Sequence, residues 1–320
     1  MTSTRTFPSI QAPHLHLPQI HLYYSEVNRS SKMAETDVPD ARAKIGRREK
    51  DVPWYNPDMG DKLGKPAREL LENYSGIPAS EVEEHVYRIR DEAWDIFPYP
   101  CIGGFRFLDL AISKSPDYQD VLQRLKSNNE TFLDLGCCFG QELRKVASDG
   151  APQENLYGCD LRPEFFDLGY KLFRDQDTLK SKFIAADIFD PASAVSELDG
   201  KIDIIYAGSF LHLFGWQQQV AICKRIVKLL KPKKGSLLLG RQVGNLVAGE
   251  KVHRTNESEK MFRHNAESFK KMWDEVGEAT GTKWTVQAEL LVLQDQAYVK
   301  ERGGDHGPDM RRIRFSVFRE

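Results

Sequence analysis

The chain has 320 residues of which 40% are hydrophobic, enough for one large α/β domain with additions. A formal net charge of −2 and a pI near 6.5 give no global basic field, so neither nucleic acid nor an anionic membrane surface is an expected partner. No run of ~18 apolar residues occurs, which excludes a membrane-spanning helix on length.

Residues 1–35 read as a disordered tail, rich in Ser, Thr and Pro, with no apolar stretch long enough for a signal peptide. His14, His16 and His21 alternate as metal ligands do in H-L-H-L-P-Q-I-H, but the surrounding composition reads as a mobile segment and no metal site is expected. Charged, helix-compatible composition begins only after Met33, so the functional protein is expected to start near it. The Lys44 to Lys50 and Lys231 to Lys234 clusters read as solvated surface.

Residues 36–128 read as an N-terminal helical extension and lid. Pro53, Trp54, Tyr55, Pro57 and Gly60 mark an irregular segment with aromatic anchors, and a short helix starts near Pro66. Ser80 is expected to cap a stronger helix, with Glu83 completing a capping box and Val82, Val86, Ile89 and Ala93 forming one apolar stripe. Trp94, Phe97, Tyr99, Phe105 and Phe107 follow, interrupted by Pro98, Pro100, Gly103 and Gly104. They fit either a lid over an apolar substrate or an aromatic core between helical layers. Tyr99 is the candidate there for a role toward ligand, because its hydroxyl needs a partner.

Residues 129–320 carry the alternating strands and helices of a parallel α/β sheet. The stretch T-F-L-D-L-G-C-C-F-G, Thr131 to Gly140, is a buried strand ending at Asp134, then a turn through Gly136 and Gly140 into a helix opening near Gln141. Such a turn leaves backbone N–H groups open to a ligand, and the glycines permit close approach. Asp160, ending L-Y-G-C-D, stands about 20 residues after Gly140, where an acid holding ribose hydroxyls belongs. By itself D-x-G-x-x-x-G is a weak signal, and the G-x-G-x-x-G of dinucleotide dehydrogenases is absent, since Cys137 and Cys138 follow Gly136.

Further on, Pro163 starts a crossover helix to F-I-A-A-D, Phe183 to Asp187. Right-handed crossovers then gather Asp134, Asp160 and Asp187 at one crevice. A helix cap is the alternative reading of Asp187. I-D-I-I-Y-A, Ile202 to Ala207, reads as a strand buried on both faces. It leads into G-S-F-L-H-L-F, where His212 would accept a proton, hold a substrate acid or pack on Trp216. Val220 to Leu230 reads as a helix and Ser236 to Gly240 as a strand, with Arg241, Gln242 and Gly244 beyond its end. Arg241 matches a carboxylate in shape, and a surface ion pair is its competing reading. Asn245 to Asn265, with His253, Arg254, Arg263 and His264, is expected to cover the substrate side. Phe262 to Val276 reads as the last helix, and Trp284 to Leu291 and Arg312 to Phe318 as terminal strands, joined through Lys300 to Asp309 with Gly303, Gly304, Gly307 and Pro308. The five cysteines, Cys101, Cys137, Cys138, Cys159 and Cys223, lack zinc-like spacing and read as reduced packing residues of a cytoplasmic protein.

Taken together, L-D-L-G-C-C-F-G, Y-G-C-D, A-A-D-I-F-D and I-I-Y-A-G-S-F-L-H-L-F resemble motifs I to IV of class I S-adenosylmethionine-dependent methyltransferases, over about residues 130 to 320. The block I-R-D-E-A-W-D-I-F-P-Y-P-C-I-G-G-F-R-F-L-D-L resembles fungal methyltransferases of meroterpenoid pathways, which esterify a carboxyl group of a polyketide-terpenoid intermediate. The resemblance implies a Rossmann-like, doubly wound, mostly parallel seven-stranded sheet, with the last strand antiparallel and inserted between its predecessors. It implies S-adenosyl-L-methionine as cofactor, with Asp160 and Leu161 at the ribose, Asp187 and Ile188 at the adenine, and Asp134, Gly136 and Gly140 around the methionyl end. Cys138 departs from the glycine common at its position, implying a slightly wider loop.

Methyl transfer from a sulfonium is an in-line displacement, so alignment and water exclusion are the main tasks. A carboxylate, with a pKa near ~4, needs no general base, whereas a phenol near ~10 benefits from one. The reading reached is carboxyl O-methylation of a small natural-product acid, with His212, Arg241 and Tyr99 as candidate catalytic residues. A hydroxyl O-methyltransferase using His212 as base, a protein methyltransferase or regulator, and a catalytically silent cofactor-fold protein stay open, as does a homodimer.

Overall fold

In the computed structural model, residues 48–52, 54–252, 260–293 and 308–320 are described. The tail of residues 1–35 with its three histidines, the start near Met33, most of the Lys44 to Lys50 run, Pro53, His253, Arg254 and Gly303, Gly304 and Gly307 lie outside them.

The N-terminal extension begins with α1 (Lys65–Glu69), which has a proline in its first turn, and α2 (Val82–Ile96). The α2 stripe of Val82, Val86, Ile89 and Ala93 is buried throughout, at about 1.5–3 kcal/mol for each of the larger side chains. Ser80 does not cap this helix. A turn from the Pro78 carbonyl to the Glu81 N–H moves the N-cap to Glu81, and Glu83 instead accepts from Arg68 at 3.0 Å. Arg90, almost fully buried on α2, lies between the rings of Tyr55 and Phe105, 4.2 and 4.4 Å from their centroids, where a desolvated cation interacts strongly with both faces. The short α3 (Pro100–Gly103) and α4 (Tyr118–Asn128) complete the extension. Trp94, Phe105 and Phe107 are core residues, so packing is the reading that holds for them, while Phe97 and Tyr99 stay half-buried.

A seven-stranded sheet follows. Its strands are β1 (Phe132–Leu135), β2 (Leu156–Asp160), β3 (Lys182–Ala185), β4 (Ile204–Tyr206) and β5 (Leu237–Asn245), then β8 (Trp284–Leu291) and β9 (Met310–Arg319). The hairpin β6 (Gly249–Val252) with β7 (Lys260–Arg263) stands apart as a second sheet. The order is β3-β2-β1-β4-β5-β9-β8, parallel from β3 to β5, with β9 antiparallel between β5 and β8. This is the expected doubly wound sheet with its inserted last strand.

Helices α5 (Gln141–Ser148), α6 (Glu164–Phe173), α7 (Trp216–Leu229) and α8 (Ala266–Thr280) supply the flanking layers. One face of the sheet packs its Leu133, Ile205 and Leu238 with Ile222, Ile226, Met272 and Trp273 of α7 and α8. On the other face Phe132, Ile204, Tyr206, Leu237 and Leu239 pack with Val121, Leu125, Leu143 and Val146 of α4 and α5. A third cluster joins the N-terminal extension to Phe139, Phe165, Leu168 and Leu172, so the extension and the α5–α6 corner share a core.

Three boundaries differ from expectation. Helix α7 starts at Trp216, because Gln217 to Gln219 are polar and give no apolar period, while the Gln218 side chain accepts from the Gly215 N–H at 3.1 Å. Strand β5 runs on to Asn245 because β9 pairs with it residue for residue, so Arg241 and Gln242 lie inside the strand. Phe262 belongs to β7, and α8 begins only after Asn265, whose side chain accepts from the Ser268 N–H at 2.9 Å. Lys231 and Lys233 are also more than solvated surface, since each reaches the buried Asp203 at 2.6 Å. Against the cost of burial, those two ammonium groups and Thr131 hold Asp203 at about 2.

The Arg144 side chain on α5 is fully buried and forms a two-pronged pair with Asp175, both contacts at 2.9 Å. Asp175→Asn leaves that guanidinium under-compensated and is expected to lower the unfolding free energy by about 3 kcal/mol in urea denaturation. A loss under ~1 kcal/mol would contradict the weight given to this pair.

Candidate active site

The turn after β1 alternates left-handed residues, with φ of +76° at Gly136, +51° at Cys138 and +64° at Gly140. Four of its N–H groups are bonded within the protein, where the sequence led us to expect them open to a ligand. Gly136 and Cys137 both donate to the Cys159 carbonyl at 2.8 and 3.1 Å, Cys138 donates to Asp160 Oδ2 at 2.9 Å, and Gly140 donates to the Cys137 carbonyl at 2.7 Å. Nor does Gly140 make room for a ligand. A methyl group there would lie 2.6 Å from the Phe183 ring and 2.7 Å from Arg144 Nη1, so the glycine serves protein packing. Cys138 keeps the left-handed backbone despite its side chain, and the Asp160 hydrogen bond holds it there.

The three strand-end acids differ in environment. Asp134 is buried, and its Oδ2 has no hydrogen-bond partner among the described residues. Burial, then the nearby Glu142 and Asp160 charges, push its carboxyl well above the usual range. Asp160 is partly exposed; its Oδ1 accepts from the Arg162 N–H at 3.1 Å, and burial raises its pKa against the hydrogen bonds that favour the charge. Asp187 is exposed and closes a local turn by accepting from the Phe189 N–H at 2.9 Å. Strand pairing sets Asp160 opposite Ala185, with the Ala186 N–H donating to the Asp160 carbonyl at 3.0 Å, so the two outer acids flank one edge. Leu161 is 61% exposed there, and Ile188 beside Asp187 is buried.

Tyr99 lies at the Asp160 corner, its ring against Phe97 and Phe165 and its hydroxyl beside the Arg162 guanidinium. Burial raises it to about 12. The Arg162 guanidinium covers the Phe97 ring at 4.4 Å, which ties the extension to the residues following the ribose acid. Tyr99 therefore lies beside Asp160 and Arg162, with the Arg162 guanidinium as the neighbour of its hydroxyl.

His212 sits in a single 3-10 turn after β4, half-buried, with its N–H donated to Gln242 Oε1 at 3.1 Å. Trp216, the packing partner first considered for His212, meets the Phe262 ring edge-on and the His264 ring at a tilt, with centroids 4.9 and 5.5 Å away. Arg241 holds the same turn through its carbonyl, which accepts from Ser209 at 2.7 Å. Its guanidinium donates to Asp109 Oδ2 at 3.0 Å, on the face of β5 opposite to Gln242. The ion-pair reading of Arg241 is thus realised, but with a partner from the N-terminal extension and only 15% exposure. Asp109, Glu142, Arg162 and Tyr206 escaped the sequence reading. Glu142 shows why: its only signal was an acid in a first helical turn, yet it is buried and accepts from the Ala111 and Ile112 N–H groups at 2.7 and 3.0 Å.

These residues fit S-adenosylmethionine. An ammonium would satisfy the orphaned Asp134 oxygen, a diol would meet Asp160, and an apolar base would find Leu161 and Ile188. A turn whose amides are internally bonded suits a cationic or neutral ligand end better than a phosphate.

Comparison with known proteins agrees with this geometry. Residues 54–108 match the family described as meroterpenoid methyltransferase N-terminal domain, and residues 132–233 match a methyltransferase domain. The chain is 47% identical over 266 residues to the O-methyltransferase phiE of a fungal species, covering 83% of this chain and 87% of that protein. It is 45% identical to the O-methyltransferase atr3 of Stereocaulon alpinum, over 88% of this chain and 80% of the other. To the Asnovolin E/Chermesin D methyltransferase nvfJ of Aspergillus novofumigatus it is 48% identical, over 71% and 81% of the two chains.

The raised Asp134 pKa has a pH signature. The folded, ligand-free protein keeps that proton above the ordinary carboxylate value, so its stability falls as pH rises from that value through the raised one. A ligand ammonium favours the ionised form, so S-adenosylhomocysteine is expected to bind more tightly with rising pH, by up to about tenfold per unit in the same interval. Calorimetry across pH checks this. Asp134→Asn should weaken binding and flatten both slopes, and a flat wild-type profile would contradict the assignment.

Proposed function

The chain belongs to the fungal S-adenosylmethionine-dependent methyltransferases that carry this N-terminal domain, and on that premise we propose that it methylates a carboxyl group of an apolar polyketide-terpenoid acid. The observation that carries this reading is Arg241. It is a mostly buried guanidinium beside the Gly208 to Phe214 turn, and it already has one carboxylate, that of Asp109, on its fork. A second support for a natural-product acceptor is the similarity to nvfJ, an Asnovolin E/Chermesin D methyltransferase.

The cofactor supplies a methyl group made electrophilic by its sulfonium. Asp160 would hold the ribose hydroxyls, Leu161, Asp187 and Ile188 would receive the adenine, and Asp134 would take the methionyl ammonium. Tyr99 and Arg162 close the ribose corner and exclude water from it. Phe210, against Gly136, together with Phe214 and Phe189 offers aromatic surface to an apolar acceptor; the ring centroids of neighbouring pairs are 5.4 and 5.3 Å apart. Arg241 orients the acceptor carboxylate, which is ionised at neutral pH and attacks without a base.

Incubation with S-adenosylmethionine and a panel of apolar carboxylic acids and matched phenols tests the reading by mass. Products that gain one methylene and are cleaved by mild alkali are esters and support it. Alkali-stable ethers from the phenols, with no ester formed, would sink it. With an acid acceptor, His212→Gln is expected to keep kcat within about threefold, whereas loss of a general base costs ~100-fold or more.

A further inference from the structure

We propose that the buried hydroxyl of Tyr206, with the Arg241 guanidinium behind it, is a binding subsite for a ligand carboxylate. Tyr206 ends β4, and strand pairing sets it level with Asp134 on β1 and Leu239 on β5, so these three side chains share the α5 face of the sheet. Its ring runs toward the carboxyl edge because Gly208 has no side chain. A methyl group at Gly208 would meet the Tyr206 ring at 2.6 Å and its oxygen at 2.8 Å. The hydroxyl therefore lies beside the Gly208 to Phe214 turn.

That hydroxyl is buried and has no hydrogen-bond partner among the described residues. So has Asp134 Oδ2, one strand away on the same face. Of the buried side-chain polar atoms left unmet among the described residues, these two stand on neighbouring strands of one sheet face, which points to a shared ligand. The charges in reach of the Tyr206 oxygen are Glu142, Asp134, Arg241 and Arg312. Glu142 is already engaged by two backbone N–H groups, and Arg241 gives Nη2 to Asp109. What fits between a hydroxyl donor and a guanidinium is an anionic oxygen, and a carboxylate accepts from both. Two ligands bring one: the methionyl end of the cofactor, and the acid acceptor, the latter resting on the carboxyl reading above.

Tyr206→Phe removes one oxygen that bonds nothing in the ligand-free protein, so the melting temperature should hold. Calorimetry with S-adenosylhomocysteine and with 5′-methylthioadenosine, which lacks the amino-acid end, separates the sources. If the cofactor carboxylate is held, the variant binds S-adenosylhomocysteine about fivefold or more weakly and 5′-methylthioadenosine unchanged. If the acceptor carboxylate is held, both affinities stay and KM for the acid methylated in the panel rises by about fivefold or more. Equal weakening of both thioethers overturns the subsite. So does unchanged S-adenosylhomocysteine affinity with either an unchanged KM or no acid acceptor. Absence of any acid acceptor overturns the carboxyl reading alone when the first arm succeeds.

Discussion

The cofactor corner depends on one buried guanidinium. Arg144 donates to the Phe139 and Gly140 carbonyls at 2.7 and 3.5 Å, which fixes the turn after β1 from beneath. Its other nitrogens hold Asp175, just beyond α6, and Asp175 Oδ2 also accepts from the Tyr74 hydroxyl of the N-terminal extension at 2.9 Å. The Tyr170, Phe173 and Phe183 rings lie around it at 4.9–5.3 Å. A charge so enclosed is tolerated only when fully paired, so its partners are held as strictly as it is. Turn, crossover helix and extension are thereby locked in one arrangement, and the strand-end acids inherit their positions from it.

That arrangement explains why the turn serves this chemistry. Four of its amides, those of Gly136, Cys137, Cys138 and Gly140, are closed on the Cys159 and Cys137 carbonyls and on Asp160, which favours the carboxylates over these N–H groups toward the ligand. A sulfonium cofactor with an ammonium and a diol suits acceptor-rich surroundings, whereas a pyrophosphate would want donors. The extension takes part directly: Tyr99 reaches Arg162, Asp109 reaches Arg241, and Glu142 grips Ala111 and Ile112.

The sheet was legible in the sequence because its strands are short apolar runs ending in acids or glycines, and β5, β8 and β9 were found in the right order. The extents failed where pairing rather than pattern decides, as at β5, whose polar half survives only by bonding to β9. The three strand-end acids were legible because strand ends are few and their spacing is set by the crossover. Asp109, Glu142 and Tyr206 were not, since each acts across 30 or more residues of chain, or, as with Tyr206, hides a polar atom inside an apolar strand. Arg241 was chosen for its shape, but only the folded chain shows Asp109 on its fork.

Titration of S-adenosylhomocysteine into wild type and Asp160→Ala tests the central assignment most directly. The account predicts saturable binding near one per chain that weakens at least ~10-fold in the variant, about 1.4 kcal/mol. Equal affinity in the two folded proteins would contradict the placement of the cofactor at the β1–β2 edge.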